Sequence, residues 1–257
     1  MQHAAPAARP VLAATLSAAL ALTAAACSSD RRGTDRPAGT TPATEQSPAA
    51  LPSPAVPPAL TRGQARAALI TEADLGQAWR PTRGAATWRD EVLKATAERP
   101  DCGRLLDVLY TEELFGATTA PRAFVALDDT AGGAQLHYRI TSHRAADIDR
   151  ALAWLATLPE ACGRFTARSP RGATRAVRVT DVTLPESGDA RQGLRVTVSA
   201  EDGAVLTVDL VAVRVGDDAI SLTSGGLGEP PDDAVRTSVE VGAERLTEVR
   251  RQGRAQV

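Results

Sequence analysis

The run Val205–Val215 constrains the fold of this chain more than any other stretch. It is apolar at both odd and even positions, whereas a strand with one face in solvent alternates apolar and polar residues. Such a run predicts a central β-strand covered on both faces. The fold must therefore contain a sheet with further layers packed on each side of this strand.

Strand patterns on both sides of this run predict its neighbours in the sheet. Residues 123–127 and 134–142 read as an antiparallel hairpin, in which Leu136, Tyr138 and Ile140 share one face. Two dipeptides, Asp202-Gly203 and Gly216-Asp217, are typical of tight turns. The predicted sheet is therefore antiparallel.

Helical spacing of apolar residues predicts the packing layers. One helix carries Cys102 in its apolar stripe and is expected to be capped by Asp101. The clearest helix spans residues 145–158, and Pro159 is expected to end it. A short helical turn capped by Thr71 and Asp74 precedes them, and a long helix closes the chain. The predicted class is α+β, a central antiparallel sheet with packed helices in a single domain.

The N-terminal residues 1–26 predict a lipoprotein signal peptide. An apolar run leads through small residues, Ala24 to Ala26, directly into Cys27, in the manner of a bacterial lipobox. A lipobox usually has leucine where Ala24 stands, and an ordinary signal peptide cut near Ala26 is the alternative. The lipobox predicts an acyl chain such as palmitate on Cys27, which anchors the protein to the outer face of the cytoplasmic membrane.

Residues 27–59 form a segment rich in Ser, Thr, Pro and Ala, with almost no large apolar side chains. Such a composition cannot bury enough apolar surface to order itself. It predicts a disordered tether between the anchored Cys27 and a folded domain at residues 60–257.

The cysteine count agrees with export. Of the three cysteines, lipidation takes Cys27, and Cys102 and Cys162 remain to form a disulfide in an oxidising compartment. Two buried free thiols are the alternative.

Composition argues against some partners. A formal net charge of −2 and an aromatic content of 3% offer neither a basic surface nor stacking platforms for nucleic acid. The glycine-rich residues 225–228 lack the setting of a phosphate-binding loop, and no cofactor is predicted.

One polar stripe offers a candidate site. His137, Arg139 and Thr141 lie on the strand face opposite the apolar one, and His143 continues it. These side chains are weak candidates for binding an anion or, with Asp128 or Asp129 as a third ligand, a metal. The alternative is the solvent-facing side of a half-buried strand.

Several segments share a further pattern: residues 69–75 with Trp79, the helix of Cys102, and residues 161–163, 188–189 and 209–216. Together they resemble the extracellular sensor domain of PknH-type mycobacterial serine/threonine kinases, which also occurs in stand-alone actinobacterial lipoproteins. The resemblance implies an α+β domain with a ligand-binding cleft. The kinase form has two disulfides, whereas this chain can form one.

Three functional hypotheses follow. The first is a lipid-anchored, non-catalytic sensor-like domain that binds an unknown small ligand or envelope component. The second is a cell-envelope hydrolase using His137 or His143, and the third is a structural protein of the envelope.

Overall fold

One antiparallel sheet of nine strands runs through the part of the chain that the computed structural model describes, residues 59–84, 89–116, 123–201, 203–228 and 232–255. The strands lie side by side in the order β1-β3-β4-β9-β8-β7-β6-β5-β2. They are β1 (Trp79–Pro81), β2 (Thr96–Ala97), β3 (Ala123–Asp129), β4 (Gln135–Ser142), β5 (Arg164–Arg168), β6 (Thr174–Asp181), β7 (Ala190–Ser199), β8 (Val205–Val215) and β9 (Asp218–Leu227).

Helices pack on both faces of this sheet. They are α1 (Arg62–Ala67), α2 (Glu72–Leu75), α3 (Pro100–Thr111), α4 (Ala145–Ala161) and α5 (Asp232–Ala255), with a π-helical turn at Arg89–Leu93. An antiparallel sheet with packed helices is the architecture that the sequence predicts. None of the described helices combines the length and apolar character needed to cross a bilayer.

Strand β8 lies between two hydrophobic cores. Val208 and Leu210 contribute to a core beneath α3 and α4, here the α3–α4 core. Val211 and Val213 face the opposite side and contribute to a core with α1 and α5, here the α5 core. The prediction of a central strand covered on both faces is confirmed, because nearly every residue of β8 is buried.

A disulfide joins α3 to the end of α4. Cys102 and Cys162 are both fully buried in the α3–α4 core, and their Cα atoms lie 5.6 Å apart. The bond closes a loop with a sequence separation of 60 residues. Cys27 lies outside the described residues, as do the predicted signal peptide and almost all of the tether.

Two predicted helix boundaries are wrong. Arg99, not Asp101, is the N-cap of α3, because Pro100 takes the first helical position, where a missing N–H removes no hydrogen bond. Asp101 instead accepts a hydrogen bond from Trp154 Nε1 at 3.1 Å. Helix α4 also continues past Pro159 to Ala161, where the N–H of Cys162 caps it by donating to the Leu158 carbonyl at 2.7 Å.

Helix α5 is fixed at two places. It approaches the sheet closely at Gly242, where a Cβ atom would overlap the hydroxyl of Tyr138. Three residues further along the helix, Arg245 donates two hydrogen bonds of 2.7 Å to Asp74, which also accepts from the Thr71 backbone in the predicted capping arrangement. Burial alone would raise the pKa of Asp74, but the hydrogen bonds from Arg245 and Thr71 together lower it.

Candidate functional site

The predicted polar stripe of β4 does not face solvent. The side chains of His137 and Arg139 are only 14% and 20% exposed. Both contact the carboxylate of Glu112, the C-cap residue of α3. The alternative that this was the solvent side of a half-buried strand is therefore wrong for these two residues.

Glu112 has an unusual backbone conformation. Its φ of 60° makes it the one non-glycine residue with positive φ among those the structure describes. A glutamate pays a conformational cost in this left-handed region, and such strain persists only where surrounding contacts impose it. The backbone N–H of Glu112 caps α3 by donating to the Val108 carbonyl at 2.8 Å, and its side chain is 13% exposed.

Three basic side chains surround this carboxylate. Arg89 Nη2 lies 2.5 Å from one Glu112 oxygen, Arg139 Nη2 lies 3.3 Å from the other, and His137 Nδ1 also contacts the first. We call these four residues the Glu112 cluster. Burial alone would raise the pKa of Glu112, but the hydrogen bond and charge of His137, with the charges of Arg89 and Arg139, lower it. Glu112 is therefore ionised at neutral pH.

The second nitrogen of His137 points into the protein. An ionised carboxylate only accepts hydrogen bonds, so Nδ1 is the donor to Glu112. The other nitrogen, Nε2, is buried with no partner among the described residues, as is Oγ1 of Thr223, which lies directly opposite on β9. Both residues line a cavity of about 10 Å³. That volume is the size of one water molecule, so no substrate fits beside Nε2.

His143 has a different environment. It follows the end of β4, about 20 Å along the extended chain from His137. Its Nε2 lies 3.0 Å from the Thr141 hydroxyl, and its ring packs on Phe115 with centroids 5.2 Å apart. Burial lowers the pKa of His143, an effect that Asp147 and Asp218 partly oppose. The two histidines therefore do not form one site.

The suggested third metal ligands are occupied elsewhere. Asp128 accepts hydrogen bonds from Thr82 at 2.7 Å and from Gln135 at 2.8 Å. Asp129 accepts from the backbone of Ala131 at 3.0 Å. Among the described residues, no group of three or more His, Cys, Asp or Glu side chains is placed to hold a metal ion.

A second candidate site is a cleft on the α5 side of the sheet, the face opposite the Glu112 cluster. A buried ion pair forms the floor of this cleft. Arg195 on β7 donates two hydrogen bonds, both 2.8 Å long, to the carboxylate of Asp209 on β8. The Asp209 side chain is 1% exposed and that of Arg195 is 24% exposed, so the guanidinium is the part that the cleft presents. Direct opposition on neighbouring strands explains the pairing.

The end of β6, the loop after it and the first turns of α5 form the walls of this cleft. Its volume is about 300 Å³, at the lower end of the range for small-molecule sites. The walls carry the polar residues Thr180, Asp181, Thr183 and Arg236 and the apolar residues Val182, Leu184, Pro185 and Val235. We call it the Arg195 cleft. It combines apolar walls with a few convergent polar groups, the usual composition of a binding site.

Glu112 and the residues of the Arg195 cleft were not identified as site residues from the sequence. For the Arg195 cleft a signal was present, since Asp209 is the one acidic residue inside the apolar run of β8. A charged residue in a strand covered on both faces must have a partner. For Glu112 the local sequence carries no comparable signal.

The solved structures that are similar to this chain include the following two. The extracellular domain of PknH from Mycobacterium tuberculosis has 10% sequence identity and a TM-score of 0.45, and the match covers 77% of this chain and 100% of that one. A putative uncharacterized protein from Rhizobium leguminosarum has 14% identity and a TM-score of 0.26, covering 51% of this chain and 98% of that one. Both TM-scores lie below 0.5, so neither likeness establishes a function. No protein-family model and no curated protein matches the sequence.

Proposed function

We propose that this protein is a lipid-anchored, extracytoplasmic domain that binds a small polar ligand in the Arg195 cleft and has no catalytic activity. The observation that carries the proposal is the cleft itself, a concave site of about 300 Å³ with a buried ion pair at its floor. The predicted signal peptide before Cys27 and the buried disulfide support the location, because disulfides persist in oxidising compartments.

The chemistry of the cleft favours binding over catalysis. Asp209 is committed to Arg195 by two hydrogen bonds, so it is a poor general base. The described lining residues include neither histidine nor cysteine to activate a nucleophile. Arg195 and Arg236 instead offer guanidinium groups, which bind carboxylates and phosphates. We therefore expect a ligand with at least one anionic group.

The hydrolase alternative is not favoured by the position of His137. The pair of His137 and Glu112 has the carboxylate–imidazole contact of a catalytic triad. Its Nε2, however, faces a cavity of about 10 Å³ rather than a surface that a substrate reaches.

Occupancy of the cleft is tested by blocking it. Thr183 lines the cleft and is exposed, so Thr183→Trp fills the space without removing a buried contact. We expect native mass spectrometry of the protein isolated from its own cells to show a small-molecule adduct that is lost in this variant. Thr157→Trp, at an exposed position on α4, is the control and should keep the adduct. A wild-type protein with no adduct, or a retained adduct in Thr183→Trp, contradicts the proposal.

The anchor is tested at Cys27. In cells, the wild-type protein is expected in the membrane fraction, with a mature chain that begins at an acylated Cys27. Cys27→Ser removes the thiol that accepts the lipid, so that this variant should no longer carry the lipid, whereas Ser28→Ala should behave as wild type. Mass spectrometry of the N-terminal peptide decides, and an unmodified Cys27 or a retained leader would show that the anchor does not exist.

A further inference from the structure

Part of the sheet face on the α5 side is not covered by a helix. Helix α5 packs on β8 and β9, and the α5 core contains no residue of β5, β6 or β7. Directly opposed residues of antiparallel strands share a face. The register from β8 outwards therefore places Thr197, Arg178 and Arg164 in one row on this face.

This uncovered area is rich in arginine. Arg164 and Arg168 on β5 and Arg178 on β6 are exposed. Thr166 and Thr174 lie beside them on the same face. We call these five residues the arginine shelf. Within the part of the chain that the structure describes, no ion pair is found for any of its three arginines.

Carboxylates are few near the shelf: Asp181 and Asp209 line the Arg195 cleft, and Glu98 lines a pocket with Thr166 and Arg168. Within strands β5 to β8, the alternation of side chains places one carboxylate, that of Asp209, on the α5 side of the sheet. Arg195 is bound to it. Arg236, in the first turns of α5, lines the cleft with Thr180 and Arg195 at the end of the shelf. The three exposed arginines of the shelf outnumber the one carboxylate beside them, so the shelf itself is positive although the formal net charge of the chain is −2.

The shape of the shelf favours a chain-like partner. Helix α5 borders it, and a helix with its side chains is about 10 Å in diameter. A planar bilayer would meet this wall before it reached the strands, whereas a flexible polymer fits along the strands beside it. The shelf presents no aromatic side chain on which a nucleic acid base stacks.

We propose that the arginine shelf binds a linear polyanion with phosphate diesters in its repeating unit. Arginine binds phosphate oxygens through two parallel hydrogen bonds. Arg164 and Arg178 lie directly opposite each other on neighbouring strands, about 5 Å apart, and Arg164 and Arg168 lie about 13 Å apart along β5. Successive phosphates of a flexible chain can span these distances. This surface lies outside the Arg195 cleft, so the proposal depends neither on a ligand there nor on the anchor.

The test uses poly(glycerol phosphate) as the probe and the full chain as the protein, with binding followed by calorimetry. The variant Arg164→Thr/Arg168→Thr/Arg178→Thr keeps strand-forming residues on the shelf. The control, Arg62→Gln/Arg66→Gln/Arg254→Gln, removes three exposed helical arginines and so changes the net charge equally. We expect the shelf variant to bind at least tenfold more weakly and the control to change less than twofold. For the wild type, raising salt from 50 to 200 mM should weaken binding by up to roughly 20-fold, the factor that neutralising three phosphates of a single-stranded nucleic acid gives.

Other outcomes would overturn the proposal. Equal losses in the shelf variant and the control would mean that only the overall charge matters. Vesicles of phosphatidylglycerol, or oligo(dT), bound more tightly than the polymer and through the same arginines would identify a membrane or a nucleic acid as the partner. Should the threonine variant fail to fold, Arg164→Lys/Arg168→Lys/Arg178→Lys carries the test, because it keeps the charge but loses the two-pronged contact. Unchanged affinity in the lysine variant would exclude the arginine–phosphate contact proposed here.

Discussion

Replacing Cys102 and Cys162 together by alanine is expected to lower the free energy of unfolding by about 4 kcal/mol, because the unfolded chain is no longer constrained by a closed loop. The loop spans 60 residues, and the chain-entropy model gives larger effects for longer loops. In a domain of this size the loss corresponds to a fall in Tm of about 8 to 16 °C. Urea titrations of wild type and variant give the measurement.

Reductant provides the control for this prediction. The unfolded wild type loses its disulfide in dithiothreitol, so its midpoint in urea should fall to that of the variant. The variant has no disulfide and should not respond. A double variant within 1 kcal/mol of wild type, or a wild type that reductant leaves unaffected, would mean that this bond contributes little to stability.

Glu112→Gln is expected to destabilise the protein by about 3 kcal/mol or more at pH 7, the usual result of removing one partner from a buried charge network. The change leaves Arg89 and Arg139 without the carboxylate that they contact, although their side chains are only 9% and 20% exposed. Glu113→Gln is the matched control, because Glu113 is the exposed neighbouring residue. Its effect should lie within about 0.5 kcal/mol.

The effect of Glu112→Gln should also depend on pH. The pKa of Glu112 is lower in the folded protein than its ordinary value. The stability it contributes is therefore fully present above the ordinary carboxyl pKa and is lost as pH falls through the lowered one. The difference between wild type and variant should shrink over that acidic range. A pH-independent difference, or a variant as stable as Glu113→Gln, would contradict the role assigned to this carboxylate.

The sequence predicted those features whose cause is local. The apolar pattern of β8 determines a strand with two covered faces, and the antiparallel pairing of β3 with β4 follows from two patterned segments joined by a short turn. Thr71 and Asp74 form the predicted capping arrangement because both partners lie within one helical turn.

The Glu112 cluster was not predictable in the same way. His137 and Arg139 were identified as polar residues on one face, but their partner lies 25 and 27 residues away, at the end of a helix. The position of Glu112 depends on how α3 packs across the sheet and on the left-handed backbone conformation of Glu112 itself. Glycine or asparagine would indicate such a conformation in a sequence, whereas glutamate does not. In the sequence alone, where this contact is not visible, the polar stripe of β4 resembles the solvent-facing side of a half-buried strand.

The position of strand β8 between the two cores has a consequence for how the domain unfolds. It gives alternate side chains to the α3–α4 core and to the α5 core, as its residues Val208 and Val211 illustrate. A strand of this kind cannot leave one core without also leaving the other. The two layers of helices are therefore expected to melt together in one cooperative transition.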